Sequence, residues 1–428
     1  MRQLYQLPLL GLLLVFLIPS QLCKICEVKK DKQFYLNSLL STMNNSKYTN
    51  GVQTANVLLS LRLVGIQSQN LQQKLIQELQ EYVSREGNLS SGQLAWTIMA
   101  LGACHNPDGF GNMAHLVKML EEKFQEEIEN MGTHNGNPLT NFYQLSQDVL
   151  ALCLFNGNYS VAEIADFFNP ENKNYYFGGQ FSVDTGAMAV LALTCVKRSK
   201  VNLSKIDTNI ATIISSHIET LIEKILSEKK DNGLIGNIYS TGEAMQALFV
   251  SSDYYQVSEW NCQQTLNTVL KEISQGTFNV PTAAAQILPA LMKKTYLDVN
   301  KDAPCPGIKL NVSIPVSGSA APTTSPSFIH VHYSVKIVET YSTNVTVLNG
   351  SVFLDVMEEA QKQNKTIFGF TMKETSWGPY ITSVQGLKAN SNDRTYWEIL
   401  SGGISLSQGV GSYVVHDGEY LEIRWSKY

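Results

Sequence analysis

Six stretches that would be apolar on every face of a helix recur along the N-terminal two thirds of the chain. Within Phe181–Lys197, for example, every residue from Ala187 to Leu193 is apolar. A helix of this kind must be buried on all sides. The six stretches are LLSLRLVG (58–65), WTIMALGAC (96–104), VLALCLF (149–155), AVLALTCV (189–196), MQALFVSS (245–252) and AAQILPALM (284–292).

Helices of a second kind lie between these stretches, each with one apolar and one charged face. Leu71, Leu75 and Leu79 form the apolar stripe of one, and a stripe from Leu116 to Ile128 marks another. The two kinds alternate about every 40 to 55 residues, which indicates a repeat architecture. We predict an inner ring of six buried helices and an outer amphipathic ring, closed into an α/α toroid over residues 24–302. An open helical solenoid is the alternative.

The pattern changes after these helices. Residues 303–327 hold five prolines among Ser, Thr and Gly, which is typical of a linker. From 328 to 428, short segments alternate or are rich in β-branched and aromatic residues, and one helix at Val352–Gln363 interrupts them. The predicted fold class is therefore α+β and multidomain, with a helical toroid followed by a small β-rich domain.

The N-terminus has the features of a secretory signal peptide: Arg2, an apolar run from Leu7 to Ile18, and then Pro19–Cys23. The run is shorter than a typical membrane span, and no later segment is long and apolar enough to be one. We predict a signal peptide at 1–23 and a secreted, extracellular monomer without a membrane span. The net charge of -5 argues against nucleic acid as a partner, since that would require a basic surface.

Cysteine and asparagine usage agree with secretion. Of the seven cysteines, Cys23 lies in the predicted signal peptide, and the remaining even number suits an oxidising compartment. Three disulfides are expected, and the cysteine positions alone leave fifteen connectivities open. Eight Asn-x-Ser/Thr sequons indicate a glycosylated surface, and we expect more than half to be modified. They lie at Asn44, Asn88, Asn158, Asn202, Asn311, Asn344, Asn349 and Asn364.

In a closed toroid the inner helices run parallel, so their N-termini meet at one mouth. Polar residues cluster at five of these N-termini, at Gln93, Thr140 to Gln144, Asp184, Asn237 to Thr241, and Gln286. Some are expected to be helix caps, Ser182 and Thr241 among them, and Asp184 and Glu243 would be favourable beside the helix dipole. A set rich in amides, hydroxyls and Tyr suits hydrogen bonding to a large polar organic ligand better than acid–base catalysis.

A secreted glycoside hydrolase is the alternative from another class, because α/α toroids host glycosidases that use two carboxylates. Asp184 and Glu243 would be that pair, with Asp148 as a third acid. Asp148, however, falls inside a buried helix, and no tight acidic cluster is present.

The small domain has its own aromatic cluster, in which Trp377 and Tyr380 are followed by Tyr396 and Trp397. Ordinary sheet core would explain most of these rings. Trp377 is different, since the Gly and Pro that follow it predict a loop. A loop tryptophan on a tethered domain is in a position to close over a ligand at the mouth of the toroid.

Five segments carry a resemblance that covers the whole chain: PLTNFYQLSQDVLALCLFNGNYS, FSVDTGAMAVLALTCVKRS, GNIYSTGEAMQALFVSSDYY, QILPALMKKTYLDV and SWGPYITSVQGL. They resemble the cobalamin transport proteins, the family of haptocorrin, intrinsic factor and transcobalamin, and are most similar to the haptocorrin type. The resemblance implies an α6/α6 barrel joined to a small β-rich domain. It also implies a carrier, not an enzyme, that holds cobalamin and its corrinoid analogues between the two domains. An intrinsic-factor-like carrier with an uptake receptor on the cell surface is the second hypothesis.

The resemblance further implies which residues contact cobalamin. In the barrel these are Gln93, Thr140, Asn141, Phe142, Tyr143, Gln144, Asp184, Asn237, Ser240 and Gln286. In the small domain they are Trp377, Tyr380 and the backbone of the stretch Trp397, Glu398 and Ile399.

Disulfides and cobalt ligation complete what the resemblance implies. The implied disulfides are Cys26–Cys262, Cys104–Cys305 and Cys153–Cys195. Transcobalamin has a histidine that can ligate cobalt at the position of Phe181. With Phe181 there, we expect no metal ligand from the protein and a broad acceptance of corrinoids.

Overall fold

The computed structural model describes residues 26–45, 51–66, 69–85, 89–105, 113–199, 208–304, 327–375, 378–406 and 408–427. Some of the sequence predictions fall outside these residues. They are the signal peptide at 1–23, residues 305–326 of the linker, Cys305, Trp377, and the sequons at Asn88, Asn202 and Asn311.

Twelve α-helices between residues 34 and 291 of the described chain build the barrel. They are α1 (Phe34–Asn45), α2 (Gly51–Val64), α3 (Gln69–Arg85), α4 (Ser91–Leu101), α5 (Met113–Thr133), α6 (Phe142–Leu154), α7 (Val161–Phe167), α8 (Val183–Arg198), α9 (Thr208–Ser227), α10 (Ser240–Val250), α11 (Cys262–Ser274) and α12 (Pro281–Leu291).

The even-numbered helices form the inner ring. Each packs against the next, from α2 to α4, α6, α8, α10 and α12, and α12 packs back against α2. The odd-numbered helices pack outside them and carry the amphipathic stripes, in which Leu75, Leu79 and Leu120 are fully buried. The predicted closed toroid is therefore confirmed, and the open solenoid is wrong.

Helix α8 shows why the inner ring is so apolar. Its N-cap Ser182 accepts a hydrogen bond from the backbone N–H of Thr185, as expected for a serine cap. Every side chain from Ala187 to Leu193 is fully buried. The helix is covered by α6 and α10 on its sides and by α9 from outside. Because neighbours surround it, no face remains for polar residues.

Two of the implied disulfides lie wholly within the described residues. Cys26 and Cys262 join the N-terminal segment to α11, with their Cα atoms 5.8 Å apart. Cys153 and Cys195 join the inner helices α6 and α8, with a Cα separation of 6.1 Å. Cys104 is also disulfide-bonded, but its implied partner, Cys305, lies outside the described residues.

Four short strands belong to the barrel: β1 (Cys104–His105), β2 (Tyr176–Phe177), β3 (Gln180–Phe181) and β4 (Asn300–Pro304). The small domain contains β5 (Phe328–Lys336), β6 (Thr340–Leu348), β7 (Phe370–Thr375), β8 (Gly378–Val384), β9 (Leu387–Lys388), β10 (Thr395–Ser401), β11 (Ile404–Ser405) and β12 (Tyr420–Lys427). It also contains α13 (Phe353–Gln363), the one long helix predicted there, and a short α14 (Lys365–Phe368).

The small domain is built on a five-stranded sheet of order β11-β10-β12-β5-β6, beside a three-stranded sheet of order β7-β8-β9. Strands β12 and β5 are parallel, whereas β5 and β6 form an antiparallel hairpin. Alternate residues of β5, including Val331, Tyr333 and Val335, pack with Phe353 of α13 into a core separate from that of the barrel. The sequence pattern predicted this alternation of buried and exposed residues along the strand.

One loop of the small domain contacts the barrel through polar groups, and we call Ser391–Arg394 the docking loop. The Arg394 guanidinium donates to the Asn174 side chain at 2.7 Å and to the backbone oxygens of Lys173 and Tyr176. Asn392 bonds with Asn130 and Asn137, and Ser391 donates to the Leu139 carbonyl. The docking loop thus positions the small domain beside the N-termini of α6 and its neighbours.

Candidate functional site

A cavity of about 530 Å³ lies where the barrel mouth faces the small domain. The barrel side is formed by the N-terminal turns of α4 and α6, by the segment before α6, and by part of α5. The other side is formed by Lys373 and Thr375 of β7 and by Tyr380 of β8. Of the predicted ligand contacts, Gln93, Thr140, Asn141, Tyr143, Gln144 and Tyr380 line this cavity.

Gln93, Asn141 and Gln144 are held in one hydrogen-bonded chain, which we call the amide cluster. Ser90 and Gln93 form a capping box at the start of α4. Ser90 Oγ donates to Gln144 Oε1 at 2.7 Å, and Asn141 Oδ1 accepts from the Gln144 N–H at 2.9 Å. Helix caps and cavity wall are therefore made by the same side chains, so the capping and binding interpretations do not exclude each other.

Gly92 allows the two helices of the amide cluster to approach closely. A Cβ atom at Gly92 would lie 2.6–2.7 Å from the side-chain carbons of Gln144 and 2.8 Å from Gln147 Oε1. Such contacts would push α4 away from α6. The glycine is thus needed for the width of the mouth at this point.

Tyr143, Asp184, Ser240, Glu243 and Gln286 form a second group, the acid cluster. Tyr143 OH donates to Glu243 Oε1 at 2.6 Å, and Ser240 Oγ donates to Asp184 Oδ2 at 2.8 Å. Glu243 is buried, and its second oxygen has no hydrogen-bond partner among the described residues. The same holds for both polar atoms of the buried Gln286 amide. This group therefore retains hydrogen-bonding capacity for a ligand.

Burial changes the protonation of the acid cluster. It raises the pKa of Glu243 to about 8, with a further rise from the charge of Asp184 and a partial offset from the Tyr143 hydrogen bond. Burial also raises the pKa of Asp184, and the hydrogen bond from Ser240 opposes this. At neutral pH Glu243 is mostly protonated, so its second oxygen carries a proton it can donate. A neutral Glu243 is suited to binding a polar group.

Asn237 is the cap of α10, and the prediction of Thr241 as its N-cap is wrong. Asn237 Oδ1 accepts from the N–H groups of Tyr239 at 2.8 Å and Ser240 at 2.9 Å. Thr241 lies one turn further in and donates back to the Asn237 carbonyl at 2.8 Å. The Gly236 turn brings Asn237 into the capping position, and the local sequence did not reveal this.

Phe142 and Phe181 lie behind the mouth. Phe142 is fully buried and packs on Tyr175, with ring centroids 5.1 Å apart. Phe181 is half-buried, stacks near Tyr176, and fills the space above Gly186, where a Cβ would come within 2.5 Å of its ring. Both aromatic rings support the N-terminal turns that carry the polar residues.

Within the small domain, some of the predicted cobalamin contacts line the cavity and others do not. Tyr380 is exposed and lines the cavity. The Trp397 ring lies in the domain core, 5.0 Å from the Trp425 ring. The Glu398 carboxylate accepts from Arg424 at 2.8 Å and from Ser426 at 2.8 Å. Trp397, Glu398 and Ile399 are not among the described residues that line the cavity.

Sequence reasoning missed Glu127, Lys123 and Lys373, which also line the cavity. Glu127 is buried on the outer helix α5, and it accepts from Ser91 Oγ at 2.8 Å and from the Thr140 N–H at 3.0 Å. A signal was present: Glu127 lies at helical spacing from Phe124 and Met131, within the apolar stripe. A charged residue in such a stripe indicates a buried partner.

Asp148, the third acid of the hydrolase alternative, lies in the barrel wall. It is fully buried in α6, as its position in the sequence predicted, and neither carboxylate oxygen is hydrogen-bonded within the described chain. Burial, together with the charge of Glu127, raises its pKa well above the usual value. Asp148 is not among the described residues that line the cavity.

Comparison with known families defines the class of this protein. The family model described as eukaryotic cobalamin-binding protein matches residues 8–326, and a domain of unknown function matches 350–427. The chain belongs to the eukaryotic cobalamin-binding proteins. The family resemblance stated from the sequence is thereby confirmed.

Individual relatives refine this result. The chain is 64% identical to Transcobalamin-1 of Homo sapiens, with all of both chains covered. It is 34% identical to the cobalamin binding intrinsic factor of Homo sapiens, with 94% of each chain covered. A crystal structure of haptocorrin in complex with Cbi is 64% identical, has a TM-score of 0.85, and covers 94% of this chain and 100% of that one.

These relatives confirm the haptocorrin type and the fold class, an α/α barrel joined to a small β-rich domain. They are binding proteins and not enzymes, so the glycoside hydrolase alternative is not supported. No helix in the described part of the chain has both the length and the apolar character to cross a membrane.

Proposed function

We propose that the chain is a secreted carrier that holds cobalamin and its corrinoid analogues in the cavity between the barrel mouth and the small domain. The observation that carries the proposal is the cavity itself, because six of the predicted contact residues line it. A barrel of residues 24–302, a linker at 303–327 and a small domain of 328–428 are part of the proposal. Uptake through a cell-surface receptor and a monomeric state remain predictions.

The chemistry of the mouth suits the ligand. Cobalamin bears amide side chains around its corrin ring, and each offers a carbonyl acceptor and an N–H₂ donor. The amide cluster, Tyr143 and the buried Gln286 supply matching donors and acceptors. Among the described residues, the Gln286 amide and the second oxygen of Glu243 lack a hydrogen-bond partner, and such buried groups favour a ligand that satisfies them. Asp184, Asn237 and Ser240 bond to one another at the N-termini of α8 and α10 and are not among the described residues that line the cavity.

Phe181 has no atom that can coordinate cobalt. We propose that the cobalt therefore keeps the ligands with which the corrinoid arrives. The related haptocorrin structure is a complex with Cbi, a corrinoid. Acceptance of such a corrinoid by this chain would agree with a site that depends on the ring amides and not on a protein–cobalt bond.

The test is a titration of the secreted protein with cobalamin, followed by absorbance and by calorimetry. We expect uptake of one equivalent and a red protein after desalting. Cobinamide should bind as well, whereas a strict intrinsic-factor-like site would reject it. The spectrum of bound aquocobalamin should lack the band shift that a histidine ligand causes. No uptake at micromolar concentration would contradict the carrier function, and retention of the chain inside producing cells would contradict secretion alone.

A further inference from the structure

Strand β6 is the open edge of the five-stranded sheet. It pairs with β5 along its whole length, from Phe328 opposite Leu348 to Lys336 opposite Thr340. No strand of the described chain pairs with its other side. A long edge with unpaired backbone groups is a template for a strand from another molecule. This edge therefore needs protection in solution.

Charges, prolines and bulges, which protect many edge strands, are missing from β6, and α13 contacts it through Gln363. Its sequence, TYSTNVTVL, contains no charged residue and no proline. Its register with β5 is continuous, without a bulge that would twist the edge away. Five of its nine residues are Thr or Val, which have high strand propensity. At one end, Phe328 and Leu348 form an exposed apolar pair, 62% and 48% accessible.

Three sequons surround this same edge. Asn344 lies in the middle of β6, and Asn349 follows its last residue. Asn364 follows Gln363 at the end of α13, where Gln363 Nε2 donates to the Asn344 carbonyl at 3.0 Å. Gln363 also accepts from Thr343 Oγ1 at 2.5 Å. All three asparagines are exposed, and Asn344 Oδ1 lies 2.9 Å from His332 Nδ1 on the neighbouring strand β5.

We propose that N-linked glycans at Asn344, Asn349 and Asn364 shield β6 and keep it from pairing with β6 of a second copy of the chain. Strand pairing requires two backbones to approach to about 4.8 Å. A branched, hydrated glycan at the centre and at both flanks of the edge prevents that approach. The glycans thus take the place of the charges that other edge strands carry. The proposal rests on the secretion proposed above, and not on cobalamin binding.

The test removes the three sequons from the secreted full-length chain with Asn344→Gln, Asn349→Gln and Thr366→Ala. Thr366→Ala leaves Asn364 in place, because its Oδ1 caps α14 by accepting from the N–H groups of Thr366 and Ile367. Light scattering after size exclusion measures the molar mass over a concentration series. We expect the fraction of dimers and larger species to rise about tenfold over the unchanged chain. Stoichiometric cobalamin uptake would show that the variant is folded.

Two matched variants separate edge shielding from general solubility. Asn44→Gln with Asn158→Gln removes two exposed sequons of the barrel and should leave the protein monomeric. Replacing Asn344→Gln by Asn344→Lys in the triple variant should restore the monomer, because a charge on the edge opposes pairing. A triple variant that stays monomeric, or a barrel variant that associates equally, would overturn the proposal.

A milder pair serves if the triple variant is not secreted. Thr346→Ser keeps the central sequon and Thr346→Ala removes it, at the same exposed position of β6. Only Thr346→Ala should associate, and equal behaviour of the two would refute edge shielding. Mass spectrometry of the unchanged chain distinguishes a failure of edge shielding from a failure of the proposed secretion. Glycans on barrel sequons alone would overturn edge shielding, whereas unmodified asparagines at every sequon would contradict secretion itself.

Discussion

The barrel and the small domain hold their polar side chains in different ways. In the barrel, polar groups are buried at the helix N-termini and bond to one another, as Tyr143 does to Glu243 and Ser240 to Asp184. In the small domain, the docking loop makes most of the polar contacts with the barrel, and Arg394 donates mainly to backbone oxygens of the barrel. The barrel therefore provides a preformed surface, and the small domain is held over it by hydrogen bonds to the buried side chains of Asn130, Asn137 and Asn174.

This difference between the two domains predicts which residues control the affinity for cobalamin and which control its rate of release. Buried polar groups that lose a partner cost the full desolvation of that group, about 1–3 kcal/mol, and more for charged ones. Truncating one partner of a buried, charged hydrogen-bonded pair across an interface mainly raises the dissociation rate. We therefore expect changes in the acid cluster to alter equilibrium binding and changes in the docking loop to alter release.

Asp184→Ala is expected to have the largest effect. It removes the carboxylate from the mouth and leaves Ser240 without its acceptor in a buried position. Cobalamin affinity should fall about 100-fold, as for the loss of a desolvated charged partner, while the barrel stays folded and loses about 1–3 kcal/mol of stability from the unpaired Ser240 hydroxyl. Asp166→Ala on the exposed side of α7 is the control. Unchanged affinity in a folded Asp184→Ala protein would mean that Asp184 only stabilises the start of α8.

Arg394→Ala should come next. It removes three hydrogen bonds between the docking loop and the barrel. We expect cobalamin to dissociate about tenfold faster, with a smaller change in the association rate. Stopped-flow displacement measures both rates, and Lys388→Ala on an exposed position of β9 is the control. Equal dissociation from both variants would show that the ligand alone holds the small domain in place.

The smallest effect concerns pH and Glu243. Because its pKa is raised from 4.5 to about 8, the folded chain binds more protons than the unfolded chain between these values. Stability from this group is therefore highest below pH 4.5 and declines as the pH rises to about 8. Above pH 8, the ionised Glu243 also loses its donor beside Asp184, and cobalamin affinity should fall about threefold by pH 9.

Glu243→Gln sharpens this test, since a glutamine cannot ionise. The variant should keep both its affinity and its stability nearly constant from pH 6 to pH 9, as measured by calorimetry and thermal unfolding. The groups that face Glu243 are Tyr143 on α6, Asp184 on α8, Gln286 on α12, and Tyr296. A decline equal to that of the unchanged chain would assign the pH dependence to Asp184.

Much of the candidate site was predictable, because repeats with one fully apolar helix each leave polar residues only at the helix ends. Gln93, Asn141 and Gln144 were found in this way, and the structure brings them into one hydrogen-bonded chain. Glu127 was missed because it belongs to an outer helix that comes to the mouth only in the folded barrel. The capping of α10 by Asn237 was missed because it depends on the shape of the preceding turn.

The sequence by itself determined the helical periods, the change to strand alternation after residue 327, and the family. These follow from local spacing of apolar residues and from motifs, both of which are properties of neighbouring positions. Only the tertiary structure decided that α12 packs on α2, that Trp397 points into the core of its own domain, and that β6 is an open edge. Ring closure, side-chain direction and strand order depend on contacts between distant parts of the chain, and no local pattern records them.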